Sequence, residues 1–210
     1  MTQPPAPAQS LESFAFGDLL AQIAAKTPAP GGGAVASAVG ALGAALGSMV
    51  VAYSLGKKSL AQHQPALETA AATLERARRV LLELAQEDAA AYDRYSELSR
   101  LPEGDPRRAS ELPAVAALCL QAPQAAAATA CDLLRLLEDL APITNRHLRS
   151  DLAIAAILAE AAARSAWWNV LVNLSNLPDA AQRDRIAADV QAMLEEAAQR
   201  RARIERACAA

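Results

Sequence analysis

Residues 33 to 55, GAVASAVGALGAALGSMVVAYSL, contain no charged side chain. A run of this length must leave water, either in a bilayer or inside a shell of other elements. Its content favours the shell. Eight of the 23 residues are Val, Leu or Met and fourteen are Ala, Gly or Ser, which is weak hydrophobicity for a membrane span. The small residues Ala36, Gly40, Gly43, Ala44, Gly47 and Ser48 recur at helical spacing, and small residues let two backbones approach closely. A helix apolar all round needs neighbours on every side. One chain of 210 residues supplies them with difficulty, so a homodimer away from the membrane is expected.

The rest of the chain is also helical in character. It holds 54 Ala and 29 Leu among 210 residues, the strongest helix formers. Nine Gly and few β-branched residues argue against a sandwich, barrel or Rossmann sheet. The expected fold class is all-α: an antiparallel bundle of about six helices. A Pro-rich tail (1 to 10) precedes a single domain (11 to 210). Helices are expected over 11 to 26 (capped by Ser10 or Ser13), 33 to 55, 64 to 99, 111 to 140, 148 to 175 and 179 to 207. Pro123 should kink or split the fourth.

The net charge of −3 offers no basic surplus for a phosphate backbone, so no nucleic acid is expected. Cys119, Cys131 and Cys208 are odd in number and form no CxxC pair; they read as reduced thiols of a cytoplasmic protein. His63 and His147 stand far apart in the chain, so no metal site is expected. The first ten residues lack the basic and apolar regions of a signal peptide.

Two helices carry side chains that could do chemistry. Steps of three and four from Leu67 give Leu67, Ala70, Leu74, Ala77, Leu81, Leu84, Asp88, Ala91, Tyr95 and Leu98. This is a buried stripe with one carboxylate in it. A core carboxylate is costly unless paired, bonded or protonated. Asp88 is therefore either a structural ion-pair partner of an arginine or a general acid/base with a raised pKa. Glu87 and Asp93 lie off the stripe. On the fifth helix, Asp151 is either a first-turn acid favoured by the helix dipole or a site residue. Asn169 and Asn173 lie four apart on one face, where amides either stitch helices or meet a polar ligand. The loop PAPGGG opens the second helix. Gly31, Gly32 and Gly33 either make a flexible turn or bring backbone N–H groups to an anion. Lys57, just beyond that helix, either caps it or holds an anionic group.

Taken together, TPAPGGGAVASAVGALGAALGSMV, SLGKK, EDAAAYDRY, RSDLAIAA and WWNVLVNL resemble the cyclodeaminase/cyclohydrolase family. It comprises the cyclodeaminase domain of formiminotransferase-cyclodeaminase and the stand-alone methenyltetrahydrofolate cyclohydrolases. The resemblance spans about residues 11 to 205. It implies an all-α homodimer with a cleft for a tetrahydrofolate derivative and no separate cofactor. It implies Asp88 as the catalytic carboxylate, with Gly31, Gly32, Gly33, Lys57, Asp151 and Asn169 binding substrate. The chain departs from the family at Glu103, where a Lys is usual, and at NRHLR (145 to 149), where a Gly-Asn commonly precedes the Ser-Asp motif. The implied activity is cyclohydrolysis of 5,10-methenyltetrahydrofolate or cyclodeamination of 5-formiminotetrahydrofolate, which share one set of motifs. The rival is a non-catalytic helical dimer of the same fold, serving as a binding or scaffold protein.

Overall fold

A computed structural model describes residues 16 to 175, 177 and 179 to 209. It contains six α-helices: α1 (Phe16–Ala24), α2 (Gly32–Ala52), α3 (Gln64–Ser99), α4 (Pro106–Leu140), α5 (Arg149–Leu174) and α6 (Ala180–Ala209). Short 3-10 segments at Lys58–His63 and Arg146–Leu148 lead into α3 and α5. Among the described residues there is no strand, and the expected all-α bundle forms. The expected tail and the caps Ser10 and Ser13 lie outside the described residues.

The uncharged helix is the axis of the bundle. α3 and α5 flank α2, α4 closes across α3 and α5, and α6 lies on α5 and α4. Glycines set these distances. A Cβ on Gly40 would stand 3.1 Å from Leu81, one on Gly43 3.1 Å from the Ala155 carbonyl, and one on Gly47 3.0 Å from Leu137. Each contact is tighter than ordinary van der Waals packing, so α3, α4 and α5 approach α2 at positions where no side chain intervenes. The chain therefore surrounds α2 on most sides but not all: Leu42 remains half exposed. By length and composition both α2 and α4 could cross a membrane, and about half of each apolar window is buried by other helices.

The α3 stripe packs as its spacing predicts. Leu67, Leu74, Leu81 and Leu98 are fully buried, each contributing about 1.5–3 kcal/mol. Glu87 and Asp93 are exposed.

α4 differs from expectation. It begins at Pro106 rather than near residue 111, because the Asp105 carboxylate accepts a hydrogen bond from the Arg107 N–H at 2.8 Å and Pro106 suits the first helical position. Pro123 does not split it; α4 continues to Leu140. A proline in a helix leaves the carbonyl four residues back without its usual donor. Here that carbonyl belongs to Cys119, and the Asn173 side-chain amide of α5 donates to it at 2.9 Å. A bond missing within α4 thus becomes a bond between α4 and α5.

Candidate active site

The N-terminus of α2 meets α3, α4 and the C-terminal half of α5 around a cavity of about 270 Å³. Gly31, Gly32, Gly33, Asp88, Asn169 and Asn173 line it, with Tyr92 and Cys119. Five of the seven site residues that the family resemblance implies thus share one cavity.

Asp88 is seated directly on Gly33. A Cβ at Gly33 would fall on the Asp88 carboxylate, well inside van der Waals contact. The Ala34 backbone N–H at the same helix end acts on that carboxyl by lowering its pKa. The group set at the N-terminus of α2 is thus a carboxyl of the protein itself. The other glycines are less constrained. A Cβ on Gly32 would touch Asn169 Oδ1 at 3.5 Å, and one on Gly31 the Pro28 carbonyl at 3.7 Å, both ordinary contacts.

The electrostatics of Asp88 oppose one another. Desolvation by burial raises its pKa above 3.8, while the Ala34 N–H pulls it down; desolvation dominates. Among the described residues no cation pairs with Asp88. The ion-pair reading of this carboxylate therefore does not hold. The side chain is only partly buried, so it reaches the cavity.

The two amides do different work. Asn169 Nδ2 donates to the Ser165 carbonyl at 3.0 Å, which aims its other end at Gly32 across the cavity. Asn173 Nδ2 is spent on the Cys119 carbonyl and the Asn169 carbonyl, both at 2.9 Å, and stitches helices. Cys119 and Tyr92 were not foreseen as cavity residues. Tyr92 lies one turn beyond Asp88, so helical spacing alone could have found it. Cys119 offers no such signal, since its approach depends on how α4 packs. Burial, and then the negative charge of Asp88, push its thiol pKa up, which disfavours the thiolate.

Lys57 and Asp151 are not part of this cavity. α2 spans 21 residues, or roughly 30 Å, and Lys57 follows its far end. α5 runs back along α2, so Asp151 in its first turn lies at that far end too. Among the described residues no group of three or more His, Cys, Asp or Glu is placed to hold a metal ion.

Comparison with known proteins agrees with this architecture. The family model for formiminotransferase-cyclodeaminase matches residues 15 to 192. The formimidoyltransferase-cyclodeaminase of Sus scrofa is 31% identical over 195 residues, covering 91% of this chain but 36% of the relative. The chain thus spans about a third of that relative's length. The methenyltetrahydrofolate cyclohydrolase of Methylorubrum extorquens is 31% identical over 193 residues, covering 90% of each. The crystal structure of a formiminotetrahydrofolate cyclodeaminase from Thermotoga maritima superposes with a TM-score of 0.82 at 29% identity, over 93% of this chain and 97% of that one. By sequence over most of its length and by fold, the chain belongs to the formiminotransferase-cyclodeaminase family.

Proposed function

We propose that the chain is a folate one-carbon enzyme. It acts at the carbon bridging N5 and N10 of tetrahydrofolate, as a methenyltetrahydrofolate cyclohydrolase or a formiminotetrahydrofolate cyclodeaminase. Relatives bearing both names match nearly the whole chain. The observation that carries the reading is the state of Asp88: seated on Gly33, unpaired by any cation among the described residues, and open to the cavity. Among the described residues it is the only charged side chain lining that cavity. A scaffold would have no use for a carboxylate kept at this cost.

The reacting carbon carries positive charge as the methenyl bridge or the protonated formimino group, which suits an anionic cavity without cations. In cyclohydrolysis, Asp88 takes a proton from water as its oxygen attacks the bridging carbon. It then returns the proton to N5 as the N5–C bond breaks, and the proton left on the added oxygen passes to solvent as the formyl C=O forms, leaving 10-formyltetrahydrofolate. In cyclodeamination, N10 attacks the formimino carbon and the carboxyl moves a proton to the departing nitrogen, which leaves as ammonia. One carboxyl serves both directions. Gly31, Gly32, Gly33 and Asn169 form the substrate wall.

Purified protein mixed with 5,10-methenyltetrahydrofolate should remove its ultraviolet band faster than the spontaneous rate, and Asp88→Asn should lose the acceleration. Without acceleration, ammonia release from 5-formiminotetrahydrofolate is the second assay. Silence in both rejects the enzyme reading.

The working unit is a homodimer. Ile154, Ile157, Trp168, Leu171 and Val172 stand at least 40% exposed along α5, and Leu42 51% exposed beside it on α2. Exposed apolar side chains this numerous on helices packed together, grouped on either side of exposed Arg164 and Ser165, mark an interface. Light scattering should give twice the chain mass, and Trp168→Glu with Leu171→Glu should halve it; an unchanged mass puts the interface elsewhere.

A further inference from the structure

A second cavity, of about 440 Å³, opens at the end of the bundle far from Asp88, between the turn at Lys58–His63 and the turn that precedes α5. Lys57, His63, Arg146 and His147 line it with the Ser59 hydroxyl, and no carboxylate does. The chain's net charge is −3, so this basic grouping runs against the whole. Elsewhere Arg78, Arg94, Arg135, Arg200 and Arg203 pair with acids. Among the described residues, Lys57 and Arg146 have no such partner. Nor does Lys57 cap α2, whose last turn ends at Ala52 without a basic residue.

The frame behind these cations is built and bonded. The Asn145 N–H donates to Ser54 Oγ at 2.9 Å, and fully buried Ser54 donates to the Val50 carbonyl at 2.7 Å. Asn145 Oδ1 accepts from the His147 N–H at 3.3 Å. On the facing segment, Gly56 adopts φ +73°, which favours glycine. Its N–H donates to Gln64 Oε1 at 2.8 Å. Two loops from distant parts of the chain are thereby tied together, and a ligand there does not have to order them. Like charges gathered on a fixed frame repel one another until an anion enters between them.

We propose that this cavity binds a small oxyanion, the carboxylate or phosphate group of a metabolite, at a site separate from the Asp88 cavity. The test is calorimetric titration and thermal melting of the full chain with inorganic phosphate and with succinate, at ionic strength held constant with sodium chloride. At least one probe should bind saturably and raise the melting temperature. Lys57→Ala with Arg146→Ala should weaken that binding by about tenfold or more, the loss expected for charge-assisted hydrogen bonds, while Asp88→Asn should leave it intact. If the double variant misfolds by circular dichroism, Arg146→Gln alone, at an exposed position, should still weaken binding several-fold. A response to phosphate alone assigns a phosphate-bearing ligand, to succinate alone a carboxylate, and to both a shared oxyanion site. No saturable response to either probe overturns the proposal. So does binding that survives the cavity variants, or that disappears with Asp88→Asn.

Discussion

Replacing Gly33 with alanine adds one methyl group, and the structure says where it lands. The new Cβ occupies the space of the Asp88 carboxylate, so that carboxylate must leave its seat. Overpacking costs about 1–3 kcal/mol. Ala in place of Gly in a helix returns roughly 0.5–1 kcal/mol, and the displaced carboxylate regains water. The net loss of stability is therefore small, about 0–2 kcal/mol. The effect on rate should be much larger, because a catalytic group misplaced by an ångström costs on the order of 100-fold. Loss of the 5,10-methenyltetrahydrofolate band, measured beside urea denaturation, separates the two effects. Gly33→Ala should approach the rate of Asp88→Ala. Gly32→Ala should fall only several-fold, since its Cβ meets Asn169 at an ordinary 3.5 Å. Gly104→Ala, with nothing within 4 Å, is the control. If Gly33→Ala keeps a kcat/KM within threefold of wild type, the seat is not what positions Asp88.

Three further outcomes follow from the geometry. Burial raises the Asp88 pKa above 3.8. The folded state therefore holds its proton more tightly than the unfolded state, and stability is lost as pH rises from near 3.8 through the raised value. Asp88→Asn should raise the melting temperature at neutral pH and change it little at acidic pH; the opposite ordering would contradict the desolvation argument. Glu138, where hydrogen bonding to Arg203 holds the carboxyl below 4.5, has the reverse sign. The stability it contributes is present above pH 4.5 and fades as pH falls through its lowered pKa, and an Arg203→Ala variant should show a weaker acid-side loss in a pH series of melts. Asn173→Ala should cost about 1–3 kcal/mol by leaving the Cys119 carbonyl unbonded. In a Pro123→Ala background a restored N–H can serve that carbonyl, so the same substitution should cost less; strict additivity in the double-mutant cycle would refute the exchange.

Much of this architecture is legible because helix formers and period carry it. The range 64 to 99 read from the Leu67 stripe is the range of α3, and the one polar member of that stripe is the residue on which the candidate chemistry turns. The start of α4 was also legible: Asp105 before Pro106 is a cap followed by a proline at the first helical position. It was masked because LPEGDP as a whole reads as a break. What the sequence could not rank was the glycine triplet. Gly31, Gly32 and Gly33 are chemically identical, and only the register of α3 against α2 decides which one lies under Asp88. Gly31 to Gly33 and Lys57 sit within one continuous signature, yet the helix between them carries them about 30 Å apart. The resemblance implies substrate binding for both, and within one chain a helix of 21 residues sets them at its opposite ends.

The Asp88 seat has a chemical logic beyond placement. A helix N-terminus alone would hold a carboxylate firmly ionised, and an apolar pocket alone would hold it protonated. At Gly33 the two influences meet, and desolvation prevails over the Ala34 N–H. A carboxyl with a raised pKa gives up and takes back protons closer to neutral pH than a solvated one does. Bringing the group that close to the α2 backbone requires a residue without a side chain, and burying it requires three other helices to close around the same end. Gly40, Gly43 and Gly47 let α3, α4 and α5 approach α2. The small residues that make α2 a workable bundle axis are therefore also what makes its first turn a seat for a carboxyl, so the site is a consequence of the packing rather than an addition to it.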